Sequence, residues 1–379
     1  MVTIHENNAT SFGTLGLGTI LPSFCVVSEE LNGQYVLKLE HPLDAADKWK
    51  RIERGRIVYA STPNGKQPFR IYNIKPSMGG ITVTAKHIFY DLLDNQCAPI
   101  SFSGTADECL DVLTGSFAYE MPFVFDTNIS ISGVLKTGRM NPIQAMLSDD
   151  EDMTSFVKGF GGELMRDGFH ISMQTSIGQN RDVAIRYGKN LMGLEVTEDD
   201  SEVKTRIICY GKSDNVEAVD SPYIDYYPYP KIHPLEGSGK TLAVLKKEAE
   251  TLLANGIDLP LVNIKVDFVE LSKTAEYAEY STLEKVYLGD IVSIINEKMN
   301  FSKKARVISY EWDSLLEKYN SVELGDFMPT LISSVTSGVK SGSLASAAAF
   351  NASEVMALIQ AHLNDHNNPH QVTKEQLGI

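Results

Sequence analysis

The stretch Ile81-Thr-Val-Thr-Ala-Lys-His87 alternates apolar and polar side chains along its whole length. A period of two is typical of a β-strand that buries one face. Tyr35-Val-Leu-Lys-Leu-Glu40 repeats the pattern, and Pro63-Asn-Gly65 and Met78-Gly-Gly80 supply turns between strands. We therefore predict that residues 20–95 form a meander that curls into a small β-barrel.

Helix signals begin after residue 96. Thr105-Ala-Asp-Glu108 is a capping box, and Asn141-Pro142 combines an N-cap residue with proline at the first helical position. Ser148-Asp-Asp-Glu151 is a second capping box, which predicts a helix over residues 149–159 that ends at Gly161-Gly162. With strand-like stretches at 168–173 and 183–187, residues 96–205 are predicted to form an α+β unit.

The second half of the chain returns to strand patterns. Residues 221–237 are rich in proline and tyrosine and are predicted to be a connector, followed by an amphipathic helix over Thr241–Asn255. Alternating stretches at 263–268, 290–295 and 305–310 predict a second β-barrel near residues 257–330.

Beyond residue 335 the composition shifts to serine, glycine and alanine. Steps of three and four residues form a heptad seam, which predicts a short helical stalk. Its members are Ala345, Ala348, Ala352, Val355, Ile359, His362 and His366. His362, His366 and the nearby His370 are candidate metal ligands, because histidines four apart share a helix face. The alternative is that these histidines only tune packing or hydration of the seam.

These patterns predict an α+β, multidomain chain. Two small β-barrel-like domains flank an inserted α+β domain, and a short helical stalk follows. The predicted boundaries are 1–95 for the first β-barrel-like domain, 96–205 for the α+β domain, 206–256 for the connector and amphipathic helix, 257–338 for the second β-barrel-like domain with a return segment, and 339–379 for the stalk.

Charge and cysteine usage exclude several functional classes. The net charge of −15 and pI near 5.0 disfavour generic binding to nucleic acid or anionic lipid. Four scattered cysteines without a CxxC pair indicate buried thiols in a reducing compartment. Neither a signal peptide nor a run of ~20 apolar residues is evident, so we expect synthesis in the bacterial cytoplasm and no membrane span.

Short motifs invite an enzymatic interpretation without completing one. Gly237-Ser-Gly-Lys-Thr241 resembles the end of a phosphate-binding loop, but Pro234 stands where glycine is needed and no preceding strand is evident. Ser155-Phe-Val-Lys158, Ser213-Asp-Asn215 and Lys136-Thr-Gly138 match three motifs of penicillin-binding proteins, but in the wrong order. We expect a glycine turn in the first case and chance matches in the second.

Other polar and aromatic residues have plain structural interpretations. The carboxylates at 149–152 suit the first turn of a helix better than a calcium site. His87 shares a strand face with Ile81, Val83 and Ala85, and His170 lies between Phe169 and Ile171, so both are predicted to be core histidines. Tyr310, Trp312 and Tyr319 are also predicted to be core residues. No catalytic residue and no cofactor is predicted.

Several sequence segments together resemble the phage tail-tip family called prophage endopeptidase tail, or tail-associated lysin. They cover most of residues 30–335 and comprise Phe69-Arg-Ile-Tyr72 with Ala85-Lys-His-Ile-Phe-Tyr-Asp-Leu92, Asn141-Pro-Ile-Gln-Ala-Met146, Gly161-Gly-Glu-Leu-Met-Arg-Asp167, Ile185-Arg-Tyr-Gly-Lys-Asn190, Thr205-Arg206, Tyr210-Gly-Lys212, Leu288-Gly-Asp290 and Leu324-Gly-Asp326. The final stretch, residues 368–378, resembles a segment that recurs in phage fibres and baseplate proteins.

The resemblance implies a fold like the central hub of phage baseplates. In such a hub two β-barrel domains per chain and threefold symmetry place six barrels in a ring. The implied partners are two further copies of the chain, a distal tail protein, a tape-measure protein and a tail fibre or receptor-binding protein. The implied location is the tip of the virion tail, in contact with the host cell wall.

The family name implies peptidase activity, and two alternatives to a structural hub stay open. In this family hydrolysis usually resides in domains appended after the hub, and none of their motifs is matched here. A peptidoglycan endopeptidase with an unrecognised site would depend on a residue such as Ser155, Cys109 or His170. A receptor-binding protein would act through its last forty residues.

Overall fold

β-Sheet dominates the part of the chain that the structure describes. The computed structural model describes residues 1–148, 150, 152–187, 190–211, 216–237, 240–254, 256–268, 286–299 and 301–325. These residues form 21 strands and four α-helices. The sheet-rich architecture predicted from the alternating patterns is confirmed, whereas the predicted stalk lies outside the described residues.

Seven strands form the first part of the fold. They are β1 (Val2–His5), β2 (Gly18–Ile20), β3 (Phe24–Glu30), β4 (Tyr35–Pro42), β5 (Ile57–Thr62), β6 (Gly65–Pro76) and β7 (Gly80–His87). The alternation of apolar and polar residues determines which face of each strand is buried. Val83 and Ala85 of β7 are buried and pair with Leu39 and Leu37 of β4. In the β5–β6 hairpin only Gly65 takes a positive φ, +110°, at the position after the Pro63-Asn64 loop.

The middle of the chain combines short strands with three helices. The strands are β8 (Ile100–Thr105), β9 (Val124–Thr127), β10 (Ser132–Thr137), β11 (Glu163–Asp167) and β12 (His170–Gln174), and the helices are α1 (Ala106–Gly115), α2 (Pro142–Leu147) and α3 (Phe156–Phe160). β8 pairs with β10, and β12 lies between β11 and β9.

The observed helix ends agree with two of the three predicted helix N-caps. The capping boxes of Thr105 with Glu108 and of Asn141 with Gln144 are both formed, and Gly161 ends α3 with a φ of +72°. The helix predicted over 149–159 is wrong, because α3 begins only at Phe156 and its N-cap is Ser155. Thr154 forms a β-bridge with Lys136, which holds the chain extended and prevents a helix from passing through it.

The remainder of the described chain comprises nine strands and one helix. They are β13 (Asn180–Arg186), β14 (Leu191–Asp199), β15 (Arg206–Tyr210), β16 (Val216–Asp220), β17 (Ile232–Glu236), α4 (Leu242–Ala254), β18 (Leu261–Phe268), β19 (Ile291–Asn296), β20 (Phe301–Asp313) and β21 (Lys318–Gly325).

One hydrogen-bonded sheet of 13 strands joins the early and late strands. Its main path is β14-β18-β21-β20-β3-β4-β7-β6-β5-β1-β2, and β19 links β13 to β20. The central link is β20 against β3, where Trp312 pairs with Val27. β13 and β14, which fall within the predicted α+β unit of residues 96–205, pair with β19 and β18 and so belong to the large sheet, and the chain leaves that sheet between β14 and β15.

Three strands and α4 form a small two-layer unit between Arg206 and Ala254, where a connector and an amphipathic helix were expected. β15 lies between antiparallel β16 and parallel β17, and α4 buries Leu245 and Ala249 against Ile207 and Cys209. The expectation that no strand precedes Gly237 is wrong, because β17 ends at Glu236. Pro234 concealed this strand in the sequence, yet an edge strand tolerates proline.

Buried side chains of the large sheet form two hydrophobic clusters. The first contains Leu37, Leu39, Phe69 and other residues before position 90. The second contains Val266, Ile294, Val322 and the aromatic residues Tyr310, Trp312 and Tyr319, which are at most 7% exposed. The core positions predicted for these three aromatic residues are confirmed.

A buried arginine ties β11 to the large sheet. The Arg166 side chain is fully buried and donates to the carbonyl oxygens of Gly33 at 2.7 Å and Glu30 at 3.1 Å. It also lies 3.3 Å from the Glu29 carboxylate, which accepts a 2.6 Å hydrogen bond from Tyr310 of β20. Burial raises the pKa of Glu29, and the charge of Arg166 opposes that rise.

His87 lies in the same region and is fully buried, as predicted. Its Nδ1 accepts from the backbone N–H of Phe89, so Nε2 donates to Gln67 at 3.2 Å. Gln67 in turn contacts the turn between β11 and β12, through Asp167 and the N–H of Gly168. Both ring nitrogens are satisfied in the neutral form, and burial lowers the His87 pKa well below its ordinary value.

We expect Arg166→Leu to lower the free energy of unfolding by about 3–5 kcal/mol, because it leaves the buried Glu29 carboxylate without its cation. Urea denaturation followed by circular dichroism measures this. The matched control is Arg139→Leu, at an exposed position, for which we expect a change within about 0.5 kcal/mol. Equal stability of the two variants would contradict the structural role of Arg166.

His87 should make stability fall in mild acid. In the unfolded chain His87 takes up a proton near pH 6.5, whereas in the folded chain it stays neutral at that pH because its pKa is lower. The contribution of His87 to the free energy of unfolding is therefore full above pH 6.5 and is lost as the pH falls through 6.5. Between pH 7.5 and 5.5 we expect a loss of about 1.4 kcal/mol from this group. Urea titrations at both pH values should show a correspondingly smaller change for His87→Gln, and identical changes would refute the assignment.

Candidate functional site

The sequence-predicted seam and metal residues lie outside the described residues. This applies to Ala348, Ala352, Val355, Ile359, His362, His366 and His370. Within the described ranges no group of three histidine, cysteine or acidic side chains could hold a metal ion. No helix in those ranges is long and apolar enough to cross a membrane.

The penicillin-binding-protein motifs do not assemble a nucleophile. Ser155 is 1% exposed, and its Oγ accepts from the Lys158 backbone N–H at 3.3 Å as the cap of α3. The Lys158 ammonium instead donates to the carbonyl oxygen of Asp150 at 2.6 Å. Lys136 lies near Ser155, because its backbone forms a β-bridge with Thr154. Ser213-Asp-Asn215 lies outside the described residues. A capping role accounts for Ser155.

Cys109 and His170 likewise have structural surroundings. Cys109 is fully buried on α1, and burial raises the pKa of its thiol to about 12, so the reactive thiolate is suppressed. The core position predicted for His170 is wrong: its side chain is 42% exposed and its Nε2 lies 2.9 Å from Asp126. Asp126 of β9 reaches it because β9 and β12 are parallel neighbours.

An open groove beside β6 is the best candidate for a binding surface. Its volume is about 810 Å³, and it is lined by Ile52, Glu53, Arg54, Tyr72, Asn73, Ile74 and Pro76. The register of β6 against β7 shifts between Ile71 and Asn73, which places Tyr72 in a β-bulge. Bulges re-aim side chains, and here Tyr72 is 43% exposed at the groove.

Cationic side chains lie at and near this groove. Within the described chain Arg54 has no hydrogen bond or ion pair, and Lys75 of β6 is exposed next to the groove. The Lys86 ammonium lies 5.0 Å from the centre of the Tyr72 ring and 5.7 Å from that of Tyr90. Burial lowers the Lys86 pKa. A mixed apolar and cationic lining suits an acidic segment of a protein partner.

Sequence reasoning missed this groove. The available signal was residues 48–56, Lys-Trp-Lys-Arg-Ile-Glu-Arg-Gly-Arg, which hold five cations in an otherwise acidic chain. The bulge at Tyr72 gave no comparable signal, because Arg70-Ile-Tyr-Asn-Ile74 can be read with either register.

Comparisons with known proteins give one partial family match and a shared fold. Residues 179–335 match the family model described as prophage endopeptidase tail. No curated protein matches the chain. The resemblance to prophage tail proteins predicted from the sequence is confirmed.

Three solved structures share the fold. Prophage tail protein gp18 from Listeria monocytogenes EGD-e is 17% identical, with a TM-score of 0.58 over 89% of this chain and 98% of that one. The tail protein from Neisseria meningitidis MC58 is 11% identical, with a TM-score of 0.57 over 86% and 96%. The 43 kDa tail protein of prophage MuSo2 from Shewanella oneidensis is 13% identical, with a TM-score of 0.55 over 82% and 96%.

We expect Ser155→Ala to lower the free energy of unfolding by about 1 kcal/mol, because it removes the N-cap of α3. Ser103→Ala, at an exposed position of β8, is the matched control and should change little. Incubation with a fluorescent penicillin should label neither the parent protein nor the variants. Labelling that disappears in Ser155→Ala would show instead that Ser155 is a nucleophile.

Proposed function

We propose that this chain, which shares its fold with three tail proteins and matches the prophage endopeptidase tail model over residues 179–335, is a phage tail protein and forms the hub at the distal tip of the tail. Three copies form a threefold ring that closes the tail tube. The ring connects the tube to distal-tail, tape-measure and fibre partners during host attachment and DNA delivery. The protein is a structural component of the virion.

The observation that carries this proposal is the likeness in fold to tail proteins over 82–89% of the chain. The internal construction supports it. Early and late strands belong to one sheet through the β20–β3 pairing, and each half of that sheet has its own hydrophobic cluster. Two β units per chain, each barrel-like, would give six around a threefold axis, to match a sixfold tube.

Two arginine–glutamate pairs that join β11 to the large sheet also support the proposal. Glu163 at the start of β11 accepts from Arg306 of β20 at 2.6 Å, and Arg306 also donates to Gly289 at 2.8 Å. With Arg166 on the same strand, β11 is held by two arginine–glutamate pairs. Such pairs fix one packing arrangement of the middle segment on the sheet.

Immunoelectron microscopy tests the hub proposal. Antibody against this chain, applied to particles induced from the source bacterium, should label only the distal tip of the tail. Preimmune serum on the same particles is the control. Unlabelled particles, with the protein found only free in the lysate, would overturn the proposal.

A second candidate function follows from the description of the matching family, which names an endopeptidase. It places a peptidoglycan-cleaving site in this chain. A zymogram with the purified protein tests it, and a cleared band that is lost in Ser155→Ala or Cys109→Ala would support it. An inactive parent protein beside an active control hydrolase would exclude it.

A further inference from the structure

The chain distributes its charge unevenly. Residues 1–95 hold ten lysines and arginines against nine acidic residues, a net charge of +1. Because the whole chain has a net charge of −15, residues 96–379 have a net charge of −16. Residues 48–56, which lead into the groove, hold five cations and one acid. Residues 195–202 hold five acids and no cation. The cationic stretch and the acidic stretch attract each other wherever two copies meet.

The acidic stretch lies on an edge of the large sheet. β14 ends the strand order, with β18 on one side, and among the described residues no strand pairs with its other side beyond Leu191. Its five acidic residues, Glu195, Glu198, Asp199, Asp200 and Glu202, are all exposed. Among the described residues Asp200 forms an ion pair with Lys231 at 3.4 Å, Lys231 also lies near Asp199, and Lys265 lies opposite Glu195 across the strand pair.

The basic stretch has charge left over after its local pairs are counted. Lys50 pairs with Asp47 at 2.7 Å, and Arg56 pairs with Glu53 at 3.0 Å. Arg54, at the rim of the groove, has no such partner among the described residues. No ion pair connects residues 48–56 with residues 195–202 inside the described part of one chain.

We infer that the groove lined by Ile52, Arg54 and Tyr72 binds the acidic β14 edge, residues 195–202, of a second copy of this chain. This inference rests on the proposed function and names the surfaces that join the copies. Charge complementarity supplies orientation, and the apolar lining of the groove supplies contact area.

The charge pattern also restricts which contacts between two copies are favourable. Two acidic edges repel each other, as do two basic grooves, so a twofold contact that pairs like with like is disfavoured. The groove of one copy instead meets the edge of the next. Such head-to-tail contacts form closed rings when the rotation permits. Because the charged groups are exposed, salt weakens the contact.

Charge reversal of the full-length chain tests the inference, with analytical ultracentrifugation in low and high salt as the readout. The groove variant is Arg54→Glu with Lys75→Glu, and the edge variant is Glu198→Lys with Glu202→Lys. We expect the parent protein to form a closed oligomer that dissociates as salt rises. Each variant should weaken self-association at least about tenfold, because like charges then face each other.

Two further variants make the result specific. The combined variant with all four substitutions restores opposite charges between copies and should regain the oligomer. The control, Lys136→Glu with Arg139→Glu, reverses two exposed cations outside the groove and should associate like the parent protein. A combined variant that stays monomeric, or a control as defective as the groove variant, would overturn the inference.

The outcomes separate this inference from the hub proposal. A parent chain that is monomeric at every salt concentration overturns the inference, even if antibody labels the tail tip. Reversible charge-dependent rings support it, even if labelling fails and the hub proposal falls. If the groove variant loses only binding to host cell walls and associates normally, the groove serves a wall polymer and the inference is wrong.

Discussion

The arrangement of the described chain depends on one buried cation, the guanidinium of Arg166. It reaches from β11 to the turn after β3, where it contacts two carbonyl oxygens and the Glu29 carboxylate. Removing this charge from water is costly, so it is tolerated only where acceptors and a counter-charge surround it. The same carboxylate accepts from Tyr310, and the middle segment, the early strands and β20 therefore meet at one point.

The large sheet carries an acidic edge strand, β14, and a groove with cationic residues beside β6. An edge strand exposes unpaired backbone groups, and charge along it prevents indiscriminate pairing with other sheets. The five exposed carboxylates near β14 oppose such pairing by charge repulsion, and under the proposed contact they are also what the groove of a second copy recognises. Keeping a subunit apart and directing its assembly are then two consequences of one charge pattern.

Prediction from sequence succeeded where the relevant contacts are local. The Thr105 and Asn141 caps, the Gly161 helix end and the buried face of β7 all involve residues a few positions apart. It failed where a distant residue intervenes. The capping box at Ser148 started no helix, because Thr154 pairs with Lys136. The His170 side chain is 42% exposed and contacts Asp126, a residue 44 positions away on β9.

The sequence by itself determined the strand and helix character of most segments, the core position of His87 and the resemblance to prophage tail proteins. Only the tertiary structure decided that early and late strands share one sheet, that Tyr72 occupies a bulge beside a groove and that Arg166 meets Glu29. The physical reason is separation along the chain. Periodicity and capping act within a few residues, whereas the Arg166–Glu29 contact joins positions 137 apart, and no local pattern specifies such a pair.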